Sequence, residues 1–233
     1  MQTINRKLKQ HKITCRICGK EYKHHQIHDT GYGTFIPDCD CEEKQRQIEE
    51  EKAEIRKKRK FLIDSGIPRR MLGYTFDSYP GEEGKVKKVK NYAESHNPGL
   101  LTMAGNTGTG KSGLAVACAK TMIAKGIEKI KYQYAYDLLV LGANFEKRID
   151  TLNEALSWDL LIVDEIGIQL KSAPALEFLE RLLIGRYEDL KATILITNLE
   201  PDDFWNLVGF RVKDRIKNCG QSLAFSERNL RNA

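Results

Sequence analysis

The chain has 233 residues, enough for one α/β domain with a small appendage. At 41% hydrophobic and 30% charged residues it can bury a core, and no apolar run approaches the roughly 18 residues of a membrane span. The first residues lack the apolar centre of a secretion signal, which points to the cytoplasm, and a net charge of +6 permits nucleic-acid contact without requiring it.

In chain order, residues 1–41 hold four of the six cysteines and four of the five histidines. Without a secretion signal, clustered cysteines favour metal over disulfides. Cys15 and Cys18, in Thr-Cys-Arg-Ile-Cys-Gly, form a tight knuckle that suits two thiolates on one ion. Cys39 and Cys41 complete four thiols for tetrahedral zinc. Their one-residue spacing departs from the commoner two, so His24, His25 or His28 is an alternative to one of them. So short a segment, with few large apolar residues, needs the metal to fold. No acid–base partner is evident, which makes the zinc structural.

Residues 42–69 read as a charged linker helix. The stretch from Glu42 to Lys60 has no Gly, Pro or aromatic residue, and it sets Glu42 against Arg46 and Glu54 against Lys58 at helical spacing. Its apolar stripe is thin, with Ile48, Ile55 and Leu62. Gly66 and Pro68 end it.

From residue 70 onward, strand and helix signals alternate. Leu100 to Met103 reads as a buried strand, Ser112 to Ala124 as a helix, and Ile130 to Tyr134 as a second strand. Asp137 to Leu156 reads as mostly helical, Leu160 to Val163 as a third strand, and Pro174 to Leu190 as an amphipathic helix. Thr193 to Thr197 is a fourth strand and Leu223 to Phe225 a short fifth. Continuous apolar strands separated by helices predict an α/β fold, a parallel sheet flanked by helices on both faces.

Between the first strand and its helix stand Gly105, Asn106, Thr107, Gly108, Thr109, Gly110, Lys111 and Ser112, a complete P-loop. Such a loop curls so that successive N–H groups face phosphate oxygens, and the helix N-terminus adds positive potential. Lys111 reaches the β and γ phosphates of ATP and the Ser112 hydroxyl ligates Mg²⁺. The third strand runs into Asp164 and Glu165. Asp164 fits the magnesium carboxylate, and Glu165 is placed to polarise the attacking water, which favours hydrolysis over nucleotide storage. Asn198, after the fourth strand, is an uncharged amide suited to orienting that water or sensing the γ phosphate.

These residues resemble the AAA+ branch of P-loop ATPases and, more narrowly, the DnaC/DnaI-type helicase loaders of bacteria and phage, with the IstB transposition ATPases as cousins. Ser65-Gly66-Ile67-Pro68, Phe76-Asp77-Ser78-Tyr79, the P-loop, the run from Asp159 to Gly167, and Gly209-Phe210-Arg211-Val212-Lys213-Asp214-Arg215-Ile216 carry the likeness. It covers about residues 60–233. The resemblance implies an AAA+ domain over residues 70–233 without a C-terminal lid. It implies that Arg215 is an arginine finger reaching a neighbouring subunit's nucleotide, with Arg211 one turn before it, so that turnover depends on self-assembly or DNA. It further implies that Arg231 senses nucleotide in cis. Single-stranded DNA would be met by the segment from Tyr134 to Arg148, including Tyr136, Phe145, Lys147 and Arg148. The zinc module would grip the replicative hexameric helicase. Two other readings are a transposition ATPase that binds DNA and a transposase, and a non-enzymatic adaptor that uses ATP as a switch.

Overall fold

The computed structural model describes residues 15–20, 24–27, 33–36, 39–167, 172–210, 212–214, 220–226 and 230. The chain forms two compact units, Met1–Lys60 and Phe61–Ala233. In the first, strands β1 (His24–Ile27) and β2 (Gly33–Ile36) make an antiparallel hairpin with His24 opposite Ile36.

Helix α1 (Cys41–Asp64) follows. Lys58 meets Glu54 at 2.6 Å as the spacing predicts, while Arg46 bonds Glu43 at 2.6 Å and Glu50 at 3.7 Å. These pairs are exposed, so each contributes little. Of the apolar stripe, Ile48 and Ile55 face solvent and Leu62 is buried. The helix closes at Gly66, whose φ is +87°. The Gly66 N–H donates to Ile63 O at 2.9 Å and the Ile67 N–H to Leu62 O at 3.1 Å, the paired bonds of a left-handed C-terminal stop.

The second unit is built on a five-stranded sheet. Its strands are β3 (Leu100–Gly105), β4 (Ile130–Tyr134), β5 (Leu160–Ile166), β6 (Ala192–Thr197) and β7 (Gln221–Phe225). All pairings are parallel and the spatial order is β4-β5-β6-β3-β7. Helices α2 (Glu83–Glu94) and α3 (Lys111–Ala124) cover one face, packing Val89, Tyr92, Leu114 and Cys118 on Leu101, Met103, Leu160 and Ile162. Helices α4 (Ala135–Ala143), α5 (Arg148–Ser157), α6 (Ala173–Glu188) and α7 (Pro201–Val208) cover the other. There Leu138, Phe178, Leu182 and Phe204 meet Leu100, Leu161, Val163 and Leu195. Consecutive residues of β5 thus serve opposite cores, which is why the strand is apolar without alternation.

Asp137 to Leu156 is mostly helical, as expected, and is divided between α4 and α5. The Asn144 side-chain oxygen accepts from the N–H groups of Glu146 at 3.0 Å and Lys147 at 3.3 Å, a local turn that competes with helix and starts α5 anew.

On this second face Arg186 of α6 is fully buried. Its guanidinium donates to Thr193 Oγ1 at 2.8 Å and to the carbonyls of Ala155, Trp158 and Ala192 at 2.7, 2.8 and 2.6 Å. It thereby ties α5 and α6 to β6. Burial lowers its pKa to about 10, so it stays charged at neutral pH.

Candidate functional site

The sheet order decides where the chemistry gathers. Strand β6 lies between β3 and β5. The P-loop leaves the C-terminal end of β3, Asp164 and Glu165 stand at the end of β5, and Asn198 follows β6 between them. The loop from Thr107 to Ser112, Asp164, Glu165 and Asn198 line a cleft of about 450 Å³ together with Arg70, Met71, Tyr74, Tyr79, Pro80 and Leu230.

The loop turns on three positive-φ glycines, Gly105, Gly108 and Gly110. A Cβ on Gly110 would lie 2.5 Å from the Tyr79 ring, so the position holds no larger residue without displacing that ring. The Thr109 hydroxyl donates to Asn106 O at 2.9 Å and braces the curl. Lys111 Nζ donates to Gly105 O at 2.7 Å and Asn106 O at 2.6 Å, which keeps the cation inside the loop. The backbone N–H of Leu230 donates to Gly108 O at 2.9 Å.

The wall opposite the loop comes from residues 70–80. The Tyr79 hydroxyl donates to Thr109 O at 2.9 Å. Lys120 of α3 donates to the carbonyls of Leu72 at 2.5 Å and Tyr74 at 2.7 Å, and Tyr74 packs on Gly113. Tyr79 closes the Phe76-Asp77-Ser78-Tyr79 segment of the family likeness, but nothing in the residue pattern marks it, Tyr74 or Arg70 as lining the cleft. The signal is faint, aromatics and a cation in a Gly- and Pro-containing stretch before the P-loop.

Asp164 is buried and Glu165 exposed. The Glu165 N–H donates to Asp164 Oδ1 at 2.7 Å, and Glu165 has φ +61°, rare for a residue with a side chain. The pairing of β5 with β6 shifts register between Val163 and Ile166, so the two acids sit on an irregularity that turns Glu165 outward. The Tyr132 hydroxyl donates to Asp164 Oδ2. Burial, and then the adjacent Asp164 charge, push the Tyr132 pKa far up, so the phenol keeps its proton. Among these donors, the Ser112 hydroxyl and the Asp164 carboxylate are hard oxygens, the kind Mg²⁺ takes.

In the first unit, ligand atoms of Cys15, Cys18, Cys39 and Cys41 all lie within 4.8 Å of one another. Four convergent sulfurs fit tetrahedral zinc. Backbone N–H groups of Cys18 and Ile17 lower the Cys15 pKa to about 6, with Ile17 N 3.4 Å from the sulfur. The Cys18 thiol, partial burial and the Cys39 thiol raise Cys41 to about 12. Cys41 is also the first residue of α1, where the helix end favours the net negative charge of a four-thiolate zinc site. The side chains of His24 and His25, and all of His28, lie outside the described residues.

Arg211, Arg215 and Arg231 likewise lie outside the described residues. On the α4–α5 hairpin, Tyr136 is 61% and Phe145 90% exposed, beside exposed Val140, Leu141 and Ile149. Lys147 is exposed, but Arg148 is engaged, donating to Gly142 O at 3.0 Å and facing Glu177 at 3.3 Å. No helix among the described residues is long and apolar enough to cross a membrane.

A model of the IstB-like ATP binding proteins matches residues 47–211. The chain belongs to this family. This IstB-like protein is 31% identical over 179 residues to the replicative helicase loader DnaC of Buchnera aphidicola subsp. Acyrthosiphon pisum, covering 72% of each chain. In fold it is similar to the crystal structure of the DnaC helicase loader, with a TM-score of 0.59 and 24% identity over 68% of this chain and all of the other. AMPPCP-bound DnaA from Aquifex aeolicus matches with a TM-score of 0.58 and 21% identity over 69% of this chain. There the IstB-like chain spans about half of its neighbour, 52%. The second unit thus shares its parallel α/β fold with these structures, and the chain belongs to an ATP-binding family.

Proposed function

We propose that this chain is an ATP-dependent loader that delivers the replicative DNA helicase onto single-stranded DNA in the cytoplasm during replication initiation. The observation that carries the reading is the convergence of the P-loop, Asp164, Glu165 and Asn198 on one cleft. The name carried by its DnaC relative supplies the partner.

In this reading residues 1–41 grip the helicase, residues 42–69 link, and residues 70–233 form the ATPase domain. Gly105 to Gly110 wrap the phosphates, Lys111 neutralises the β and γ groups, and Tyr74 and Tyr79 flank the nucleotide. Ser112 and Asp164 would hold Mg²⁺, which supplies charge neutralisation on the phosphates when bound. Glu165 orients the attacking water and accepts its proton, while Asn198 fixes that water or the γ phosphate. Arg215, Arg211 and Arg231 complete the charge on the nucleotide, the first two across a subunit interface, so that assembly or DNA stimulates turnover. Cys15, Cys18, Cys39 and Cys41 would hold zinc, whose bonds would supply the stability that so short a segment, with few large apolar residues, needs.

The test mixes the full chain with its host's replicative helicase, ATP and Mg²⁺, and measures complex mass by size exclusion with light scattering. A complex heavier than the helicase hexamer, lost in Cys15→Ser/Cys18→Ser, is expected. Absence of a complex in every nucleotide state, with tight binding of duplex DNA and a transposase, would replace it with the transposition reading. ATP binding without turnover, even with DNA, would favour the switched adaptor.

A further inference from the structure

Strand β4 is an edge strand, and one residue on it reaches the catalytic acids without lining the cleft. Tyr132 is buried, and its ring meets Tyr134 edge-on at 5.8 Å. Its backbone is held from outside the sheet. The Tyr132 N–H donates to Ser65 O at 2.7 Å, and a Cβ on Gly66 would fall 2.3 Å from Tyr132 O. Only glycine lets the turn after α1 sit this close.

From this fixed backbone the hydroxyl donates to Asp164 Oδ2, while the Glu165 N–H takes Oδ1. Among the described residues, each carboxylate oxygen of Asp164 therefore has a protein donor. The two bonds fix the side-chain torsions of Asp164. Through Oδ1 they also support the left-handed backbone of Glu165. A carboxylate held by one donor can swing; one held by two is preorganised. The Ser112 hydroxyl is a further neighbour of the Tyr132 hydroxyl, so the phenol stands behind both oxygen donors assigned to magnesium.

We propose that Tyr132 is a positioning residue for ATP hydrolysis, orienting Asp164 toward the metal and, through Asp164, holding Glu165 in place. The proposal rests on the reading of Asp164 and Glu165 given above. Tyr132 does not line the cleft, so it acts through Asp164 rather than on the nucleotide itself.

Tyr132→Phe removes one oxygen and keeps the ring. A hydrogen bond to a charged group is worth enough that kcat should fall about tenfold, with KM for ATP within about twofold. The magnesium concentration that half-saturates binding of a fluorescent ATP analogue should rise several-fold, a readout independent of turnover. Thermal unfolding checks that the variant is folded. Asp164→Asn is run beside it. On analogue binding in magnesium, adding Tyr132→Phe to Asp164→Asn should have no further effect, because the hydroxyl acts through the carboxylate. Wild-type kcat and magnesium dependence in Tyr132→Phe, with both lost in Asp164→Asn, would overturn the positioning role alone. Additive effects in the double variant would also overturn it. An unchanged magnesium dependence in Asp164→Asn would overturn the underlying reading of the site.

Discussion

The Glu165 N–H and Asp164 Oδ1 lie 2.7 Å apart, a hydrogen bond between neighbours that bends the end of β5 and separates the duties of two adjacent acids. Asp164 is turned inward and Glu165 outward. Glu165→Gln keeps the size and polarity of the side chain but cannot accept a proton. It should leave ATP affinity within about threefold and lower DNA- or helicase-stimulated turnover by about a hundredfold or more. Equilibrium binding of a fluorescent nucleotide and a phosphate-release assay separate the two effects.

Lys111 is held by two loop carbonyls, at 2.6 and 2.7 Å, and those bonds must be exchanged for phosphate contacts when nucleotide enters. Lys111→Met keeps the stem and removes the cation. Affinity for ATP should fall at least about a hundredfold, in line with the loss of a charged hydrogen bond to phosphate. Isothermal titration would reveal it, and unchanged affinity would contradict the phosphate site.

Zinc affinity of the cysteine cluster should rise with pH. Cys15, lowered to about 6, is already a thiolate at pH 7, whereas Cys41, raised to about 12, must lose its proton to bind. Zinc uptake at pH 7 therefore releases protons, and the affinity should fall more steeply below pH 6, where Cys15 of the metal-free cluster also carries a proton that zinc must displace. Competition against a chromophoric chelator at pH 6, 7 and 8 measures the slope. Stripping the metal should lower the circular-dichroism signal of the first turns of α1, because Cys41 begins that helix.

Phe145 makes almost no contact with its own fold, being 90% exposed. Phe145→Ala should leave the melting temperature within about 1 °C, since a surface change carries little stability. If single-stranded DNA stacks on it, affinity for a poly-dT oligonucleotide should fall roughly fivefold to a hundredfold, the value of one base on one ring. Fluorescence anisotropy at fixed salt tests this, and equal affinities would remove Phe145 from the DNA surface.

The strands of the second unit could be read because burial on both faces writes itself as unbroken apolar runs, and Leu160 to Val163 needs no partner to be recognised. The P-loop could be read because phosphate binding demands glycines at set positions. Other features depend on register, which a linear pattern lacks. Tyr132 looks like an ordinary core aromatic until β4 is laid beside β5, with Tyr132 opposite Ile162 and Asp164 one pleat beyond. Helix α2 carries little periodic signal because its lysines mask the few residues that pack, among them Val89 and Tyr92. The break at Asn144 turned on one side chain's choice of backbone donors. Tyr74 and Tyr79 became visible as walls only once the chain before β3 was seen folded over the loop.

Arg186 has a consequence for how this fold can drift over generations. Four separate acceptors depend on one guanidinium, and three are main-chain oxygens that no mutation can delete. A single replacement takes that donor from three carbonyls at once, while the Thr193 hydroxyl keeps only its bond to Lys191 O, so a replacement should be tolerated only where neighbouring changes supply new donors. The position is a ratchet, and its occupant should outlast many surface residues whose roles are more conspicuous.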